Sequence, residues 1–392
     1  MSGTEHWLLP EGIEELLPPR AARLERLRRR LLDMFQGWGY ELVIPPMIEF
    51  LDSLLTGSGH DLALQTFKLI DPASGRLLGI RADMTPQAAR IDAHALQREG
   101  VVRLCYLGTV VRTQADGLGG TRSPMQLGAE LFGHGGTESD LEIIDLMLET
   151  LRLIGVEQVH LDLGHVGIYR ALAAEAALEP VAETEFFGLL QRKALPEIRQ
   201  WLAATSLPAT VRQRLGALAE LHGGPEVLER ARSLLAGAPA AVAEALDALA
   251  GVAAAVQQCW PDIPIHFDLG ELRGYAYQTG IVFAAFVPGT GREIARGGRY
   301  DSIGQIFGRA RPATGFSTDL RTLIALVPDH DGGERRRRIL APAGSDPSLR
   351  ARIRALREAG HVVVQALGGG GDPPHDALLE AGPDGWRLRD LD

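Results

Sequence analysis

Gln126 and Glu130 stand four residues apart in the stretch Arg122-Ser-Pro-Met-Gln-Leu-Gly-Ala-Glu-Leu-Phe-Gly133. The alternation of apolar and polar residues is that of a strand with one buried face, and it puts both side chains on that face. Two groups able to grip an ammonium or an imidazole therefore point into one space. Arg112 follows a second strand-like run, Val101 to Val111, and is placed to face a carboxylate or a phosphate across the same site. An acid and an amide opposite a guanidinium on an antiparallel sheet have the layout of an amino-acid pocket.

The elements that must position these residues are legible in order. Leu24, Leu27, Leu31, Leu32 and Phe35 recur at helical spacing between Pro19 and Gly37, which predicts an amphipathic helix. Tyr40 to Ile44 reads as a strand stopped by Pro45-Pro46, and Thr66 to Ile70 and Leu77 to Arg81 as two more around a turn. Helices are expected over Pro86 to Gln97 and Ser139 to Ile154, then a strand from Val159 to Leu163. From Ile168 to Gln258 the chain is rich in Ala, Leu, Glu and Arg, which predicts a helical insertion at about 168–258. Strands resume at Ile265 to Asp268 and Gly280 to Val287, with a helix from Ser317 to Leu326. The pattern is α+β, an antiparallel sheet flanked by helices, not the βαβ alternation of a dinucleotide fold. It divides into a main domain, 1–330, and a linker with a small C-terminal α/β segment, 331–392. That segment reads as strand, helix (Pro347 to Ala359) and strand (His361 to Ala366). Arg335 to Arg338 reads as a solvated linker. Gly368 to Gly371 has no lysine or helix at phosphate-loop spacing, so it reads as a loop.

Composition narrows the function. A formal net charge of −10 over 392 residues argues against a general nucleic-acid or anionic-membrane surface. The two cysteines, Cys105 and Cys259, are expected to be buried, reduced thiols of a cytoplasmic protein. No ligand spacing suggests a metal or another cofactor. No secretion signal is read at the amino terminus, and no uncharged apolar run reaches the ~20 residues of a membrane span.

Six segments in order resemble the class II aminoacyl-tRNA synthetases, specifically histidyl-tRNA synthetase, over roughly residues 8 to 325. Gly39-Tyr-Glu-Leu-Val-Ile-Pro45 with Glu49 is similar to motif 1, the family's dimer-forming element. Arg81-Ala-Asp-Met-Thr-Pro86 resembles the loop that holds the amino group of histidine, and Arg112 the motif 2 arginine. Gln126 and Glu130 match the Gln and Glu around the bound amino acid. Leu272-Arg-Gly-Tyr-Ala-Tyr277 resembles the histidine-specific segment. Gly297-Gly-Arg-Tyr-Asp301 and Pro312-Ala-Thr-Gly-Phe316 resemble the approach to motif 3. The resemblance implies a pocket for free histidine. Asp83, Thr85 and Gln126 would meet the ammonium and Arg112 or Arg273 the carboxylate. Glu130 would take an imidazole nitrogen, with Tyr277 as a second polar wall. The second tyrosine of the family's pair is Gln278 here, a departure at the imidazole wall.

Other departures fall on the nucleotide side. Motif 2 reads Arg112-Thr113-Gln114 where a synthetase has Arg-x-Glu. In motif 3 Asp319 replaces a glycine and Thr322 the arginine that clamps the γ-phosphate. Losing such a clamp removes ~3 kcal/mol or more of transition-state stabilisation. Arg321, one residue off, is turned about 100° around the helix. The tail is also shorter than a histidyl synthetase's anticodon domain. Kept pocket and eroded ATP chemistry together resemble the regulatory subunits of ATP phosphoribosyltransferase. That resemblance implies a non-catalytic chain, required for the first step of histidine biosynthesis and conferring feedback inhibition by histidine. It implies a hetero-oligomer with the short-form catalytic subunit around a homodimeric core and free histidine as effector; no membrane is expected as a partner, and tRNA is disfavoured by the acidic charge and the short tail. The alternative is a divergent histidyl-tRNA synthetase.

Overall fold

Helix α1 is Arg20–Gly37 in this computed structural model, which describes residues 8–56, 60–115, 117, 120–271, 274, 277–328, 336–367, 371–383 and 385–391. Its buried residues are Leu24, Leu27, Leu31 and Phe35, the core-facing stripe of the periodic pattern. Gly39, at φ +82, turns the chain into β1 (Glu41–Leu42). This strand is shorter than expected because the prolines that follow cannot extend a ladder.

β2 (Ile48–Phe50), α2 (Leu51–Leu55), α3 (His60–Gln65), β3 (Phe67–Ile70) and β4 (Leu77–Ile80) come next, with the strands in a separate sheet ordered β2-β4-β3. The helix expected over Pro86 to Gln97 is α4 (Thr85–Arg90) continued by a π-helical turn, Ile91–Leu96.

β5 (Val102–Thr109), β6 (Met125–Phe132), α5 (Thr137–Ile154) and β7 (His160–His165) follow the sequence pattern closely. The Ala-rich region is helical: α6 (Val166–Glu175), α7 (Pro180–Gln191), α8 (Leu195–Ala204), α9 (Ala209–Leu218), then after a short β8 (His222–Gly223), α10 (Glu226–Leu234) and α11 (Ala240–Cys259). By length and composition alone α11 could cross a membrane. Val242, Leu246, Leu249, Val252 and Val256 instead sit in the main core. Cys105 is buried as expected, but Cys259, at the end of α11, is exposed.

The chain returns to the sheet through β9 (Ile265–Asp268), β10 (Ile281–Phe286), β11 (Ala295–Arg299) and β12 (Ala313–Asp319), and α12 (Leu320–Leu326) ends the unit. The helix expected from Ser317 starts three residues later, because β12 stays paired with β6 through Asp319. The main sheet has nine strands in the order β1-β5-β6-β12-β11-β10-β7-β9-β8. Its pairs are antiparallel except β1 with β5 and β7 with β9. The fold is the expected α+β arrangement.

The structure divides into two units, 1–328 and 329–392. The second contains β13 (Arg338–Ala341), α13 (Pro347–Glu358), β14 (Val362–Gln365), β15 (Ala377–Gly382) and β16 (Gly385–Asp390), in a sheet ordered β14-β13-β15-β16. Ile339, Leu349, Ile353, Leu356, Val363 and Leu379 form its own core. Arg338 opens β13 rather than ending a linker. Arg335 and Gly368 to Gly370 lie outside the described residues.

Candidate functional site: a buried acid in a cavity over the central sheet

A cavity of about 750 Å³ lies over the middle of the nine-stranded sheet, within the usual size range of small-molecule sites. Gly315, in its lining, makes room for Glu130: a Cβ there would come within 1.6 Å of Glu130 Oε2. Gly128 on β6 makes room for the buried Tyr106 ring, which a Cβ would approach to 2.5 Å. On the opposite side α7 contributes Glu183 and Phe187 to the wall.

β6 presents Gln126 and Glu130 together, both buried and both lining the cavity. Gln126 clips the loop before α4 onto the sheet. Its Oε1 accepts from the Met84 N–H at 2.9 Å, and its Nε2 donates to Asp83 Oδ1 at 2.7 Å. The same Asp83 oxygen accepts from the Thr85 N–H at 2.9 Å. Arg81, from the same loop, is not a ligand-facing group. It donates from Nε to the Thr109 carbonyl at 3.0 Å and from Nη1 to the Pro45 carbonyl at 2.6 Å, fixing the loop between β1 and β5.

Glu130 is held by two phenols. Tyr106 donates to Oε1 at 2.8 Å and Tyr300 donates to Oε2; Thr85 Oγ1 and the Tyr106 hydroxyl lie 2.9 Å apart. Burial pushes the Glu130 carboxyl up to about 8, the two phenol hydrogen bonds opposing and the nearby Asp83 adding to the rise. Burial and Glu130 also push both tyrosines well above the usual phenol range. A neutral acid at neutral pH, ready to ionise when a cation arrives, can exchange a proton with an incoming imidazole.

Arg112 donates from Nε to the Ala82 carbonyl at 3.3 Å. It lines both the main cavity and an adjoining one of about 390 Å³ that also contains Arg292, Arg296, Asp319 and Thr322. Tyr277 lines the main cavity and is 38% exposed. Arg273 lies outside the described residues. The structure thus brings Asp83, Thr85, Arg112, Gln126, Glu130 and Tyr277 to one cavity.

Asp319 lines the smaller cavity, yet its carboxylate is fully engaged. Oδ1 accepts from the Met125 and Arg321 N–H groups at 2.9 and 3.0 Å. Oδ2 accepts from the Thr322 N–H at 3.2 Å and its hydroxyl at 2.6 Å. It is the N-cap of α12. Arg321 turns away, as the helical rotation predicts, and donates from Nη1 to Ser123 and from Nη2 to the Glu14 carbonyl.

Tyr106 and Tyr300 escaped the sequence reading. Tyr106 is in register with Gly128 on β6, so its place in the strand alternation, beside a glycine, was the available signal. Tyr300 sits in Gly297-Gly-Arg-Tyr-Asp301, where no periodic pattern indicates which side chain faces the cavity.

The sequence profile of the family described as Histidyl-tRNA synthetase matches residues 12–323. A second, described as the ATP phosphoribosyltransferase subunit HisZ C-terminal domain, matches residues 336–388. An ATP phosphoribosyltransferase regulatory subunit of Thioalkalivibrio sulfidiphilus is 60% identical, over 95% of this chain and 94% of the relative. One from Methylococcus capsulatus is also 60% identical, over 93% and 90%. Among solved structures, an ATP phosphoribosyltransferase regulatory subunit/histidyl-tRNA synthetase from Bacillus halodurans superposes with a TM-score of 0.81 at 28% identity, covering 93% of this chain and 94% of that one. Histidyl-tRNA synthetase from Nostoc, at 17% identity and a TM-score of 0.76, covers 98% and 94% and shares the fold. With both profiles matched in order and relatives this similar along nearly the whole length, the chain belongs to the ATP phosphoribosyltransferase regulatory subunits, a family built on the histidyl-tRNA synthetase fold.

Proposed function

We propose that this chain is a non-catalytic, cytoplasmic subunit that activates a short-form ATP phosphoribosyltransferase and carries free histidine as its feedback signal. The observation that carries the reading is the pre-assembled cluster of Asp83, Gln126, Glu130 and Tyr300 in one cavity, with the buried Tyr106 donating to Glu130. Histidine's ammonium lies against Asp83, Thr85 and Gln126, its imidazole against Glu130, and its carboxylate against Arg112 or Arg273, with Tyr277 completing the wall. A site built on hydrogen bonds to a ring N–H rejects amino acids lacking one, which suits a sensor of a single end product.

The absence of catalysis is supported by the opposite finding at α12. Asp319 stands beside the adjoining cavity with both carboxylate oxygens committed to capping, and Arg321 is committed to the amino-terminal segment. Neither is arranged to clamp a triphosphate. A homodimer about the motif 1 region is supported by the exposed apolar side chains Leu42, Ile44, Met47 and Ile48, an unusual concentration for a free surface.

The test is purification of the chain from its own host at low salt, with mass spectrometry of what co-elutes. A short phosphoribosyltransferase subunit in fixed ratio is expected. Co-eluting tRNA without the transferase, together with histidine-dependent ATP–pyrophosphate exchange, would instead establish the divergent synthetase.

A further inference from the structure

Helix α7 lays one face over the main cavity. Pro180, Glu183, Thr184, Phe187 and Gln191 all line it, at spacings that put them on one side of the helix. The other side is packed away from the cavity. Phe186, Leu189 and Leu190 are buried, and the Phe186 ring lies 4.8 Å from that of Trp201 on α8. α7 is thus a roof supplied by the helical region, above a floor supplied by the sheet. The connections on both sides of it pass through non-glycine residues in the left-handed region, Ala177 at φ +46 and Lys193 at φ +48. Such residues are held against a steric preference, and they collect at clamps and switch segments.

The second of them also carries a tie. Lys193 Nζ donates to Oδ2 of Asp268, a buried residue at the end of β9 that lines the cavity. The other Asp268 oxygen accepts from the Gly270 N–H at 3.1 Å. The Lys193 side chain is 43% exposed, so the pair is open to water and weak. Among the 40 basic residues of the chain only Lys68 and Lys193 are lysines. A lysine brings a point charge on a flexible stem, where an arginine would grip a carboxylate with two parallel bonds. The tie is therefore of a kind that breaks readily.

We infer that Lys193 is a positioning residue: its ion pair with Asp268 holds α7 shut over the cavity, and α7 hinges at Ala177 and Lys193 to pass the ligand. The inference rests on the proposed histidine pocket and adds its gate. A gate acts on entry and exit alike. The closed complex keeps its contacts, so weakening the tie speeds association and dissociation by one factor and leaves the equilibrium in place.

The experiment compares wild type, Lys193→Met and Lys193→Arg by stopped-flow binding of L-histidine and by thiol labelling of the cavity floor. For the labelling, the floor residue Ala284 is changed to cysteine in a Cys259→Ser background, which leaves only the buried Cys105 besides it. Lys193→Met is expected to raise both histidine rate constants and the labelling rate roughly fivefold, with Kd within about twofold of wild type. Lys193→Arg keeps the cation and is expected to behave as wild type. Unchanged labelling in Lys193→Met overturns the inference. So does a weaker Kd with unaltered association, because Lys193 would then act on the bound ligand and not on the gate. If wild type binds no histidine the pocket reading falls, and the labelling rates alone decide the gate: faster in Lys193→Met upholds it, unchanged overturns it.

Discussion

One strand pair, β6 with β12, carries two neighbourhoods of opposite character. At one end Glu130 faces Gly315 in register, buried in a cavity, with its charge suppressed and its carboxylate steadied by phenols. At the other end Gln126 faces Asp319 in register, and the Asp319 carboxylate is consumed by four hydrogen bonds from Met125, Arg321 and Thr322. The first acid lines a cavity; the second serves the chain itself. The difference shows how neighbouring ends of one strand pair can hold one carboxylate at a cavity wall and commit another to a helix cap without disturbing the sheet between them. A carboxylate placed where a helix needs a cap contributes to stability and no longer has lone pairs for a ligand.

The sharpest way to break this contrast is Glu130→Ala. Removing a buried group that meets a charged ligand is expected to weaken histidine about a hundredfold by calorimetry, with the circular dichroism spectrum unchanged; retained affinity would remove Glu130 from the site. A second consequence concerns pH. Burial lifts Glu130 from 4.5 to about 8, so the folded chain holds a proton there that the unfolded chain releases in between. Stability from this group is therefore complete below the unfolded value and is lost as pH rises through 8. The thermal midpoint of Glu130→Gln should gain on wild type as pH rises from 5 to 8 and level off above; parallel curves would contradict the buried-acid description.

The capping end should respond differently. Asp319→Ala is expected to cost about 1–2 kcal/mol of unfolding free energy while leaving histidine affinity within twofold. A large loss of affinity with little loss of stability would reverse the assignment of the two ends. The smallest effect belongs to Arg321→Ala, expected to cost under about 1 kcal/mol and to speed limited proteolysis near Glu14. Unaltered proteolysis would mean that the Arg321 contacts do not hold the amino-terminal segment.

The sequence exposed the Glu130 end far better than the Asp319 end. Gln126 and Glu130 are readable because a strand's period of two leaves no choice about which face they share. The helical region announced itself through composition, and β5, β6, β7 and β10 through alternation. β11 and β12 did not, because Ala295-Arg-Gly-Gly-Arg299 and Ala313-Thr-Gly-Phe-Ser317 combine glycines with few β-branched residues. In those strands glycine is present for clearance, beneath Gln278 and Glu130, and clearance leaves no periodic trace. β15 and β16 were likewise unread, although Gly382-Pro-Asp-Gly385 carries a turn signal between them. Asp319 was noticed as a charge where a glycine was expected, but its role follows from three-dimensional neighbours, Met125 above all, that lie 194 residues away.

The most direct test of the account is ATP phosphoribosyltransferase activity of the reconstituted complex, measured against rising histidine with wild-type and Glu130→Ala regulatory chains. The account predicts that both chains activate the catalytic subunit equally and that only wild type confers inhibition by histidine. Inhibition of equal strength with Glu130→Ala would contradict it and move the feedback site elsewhere.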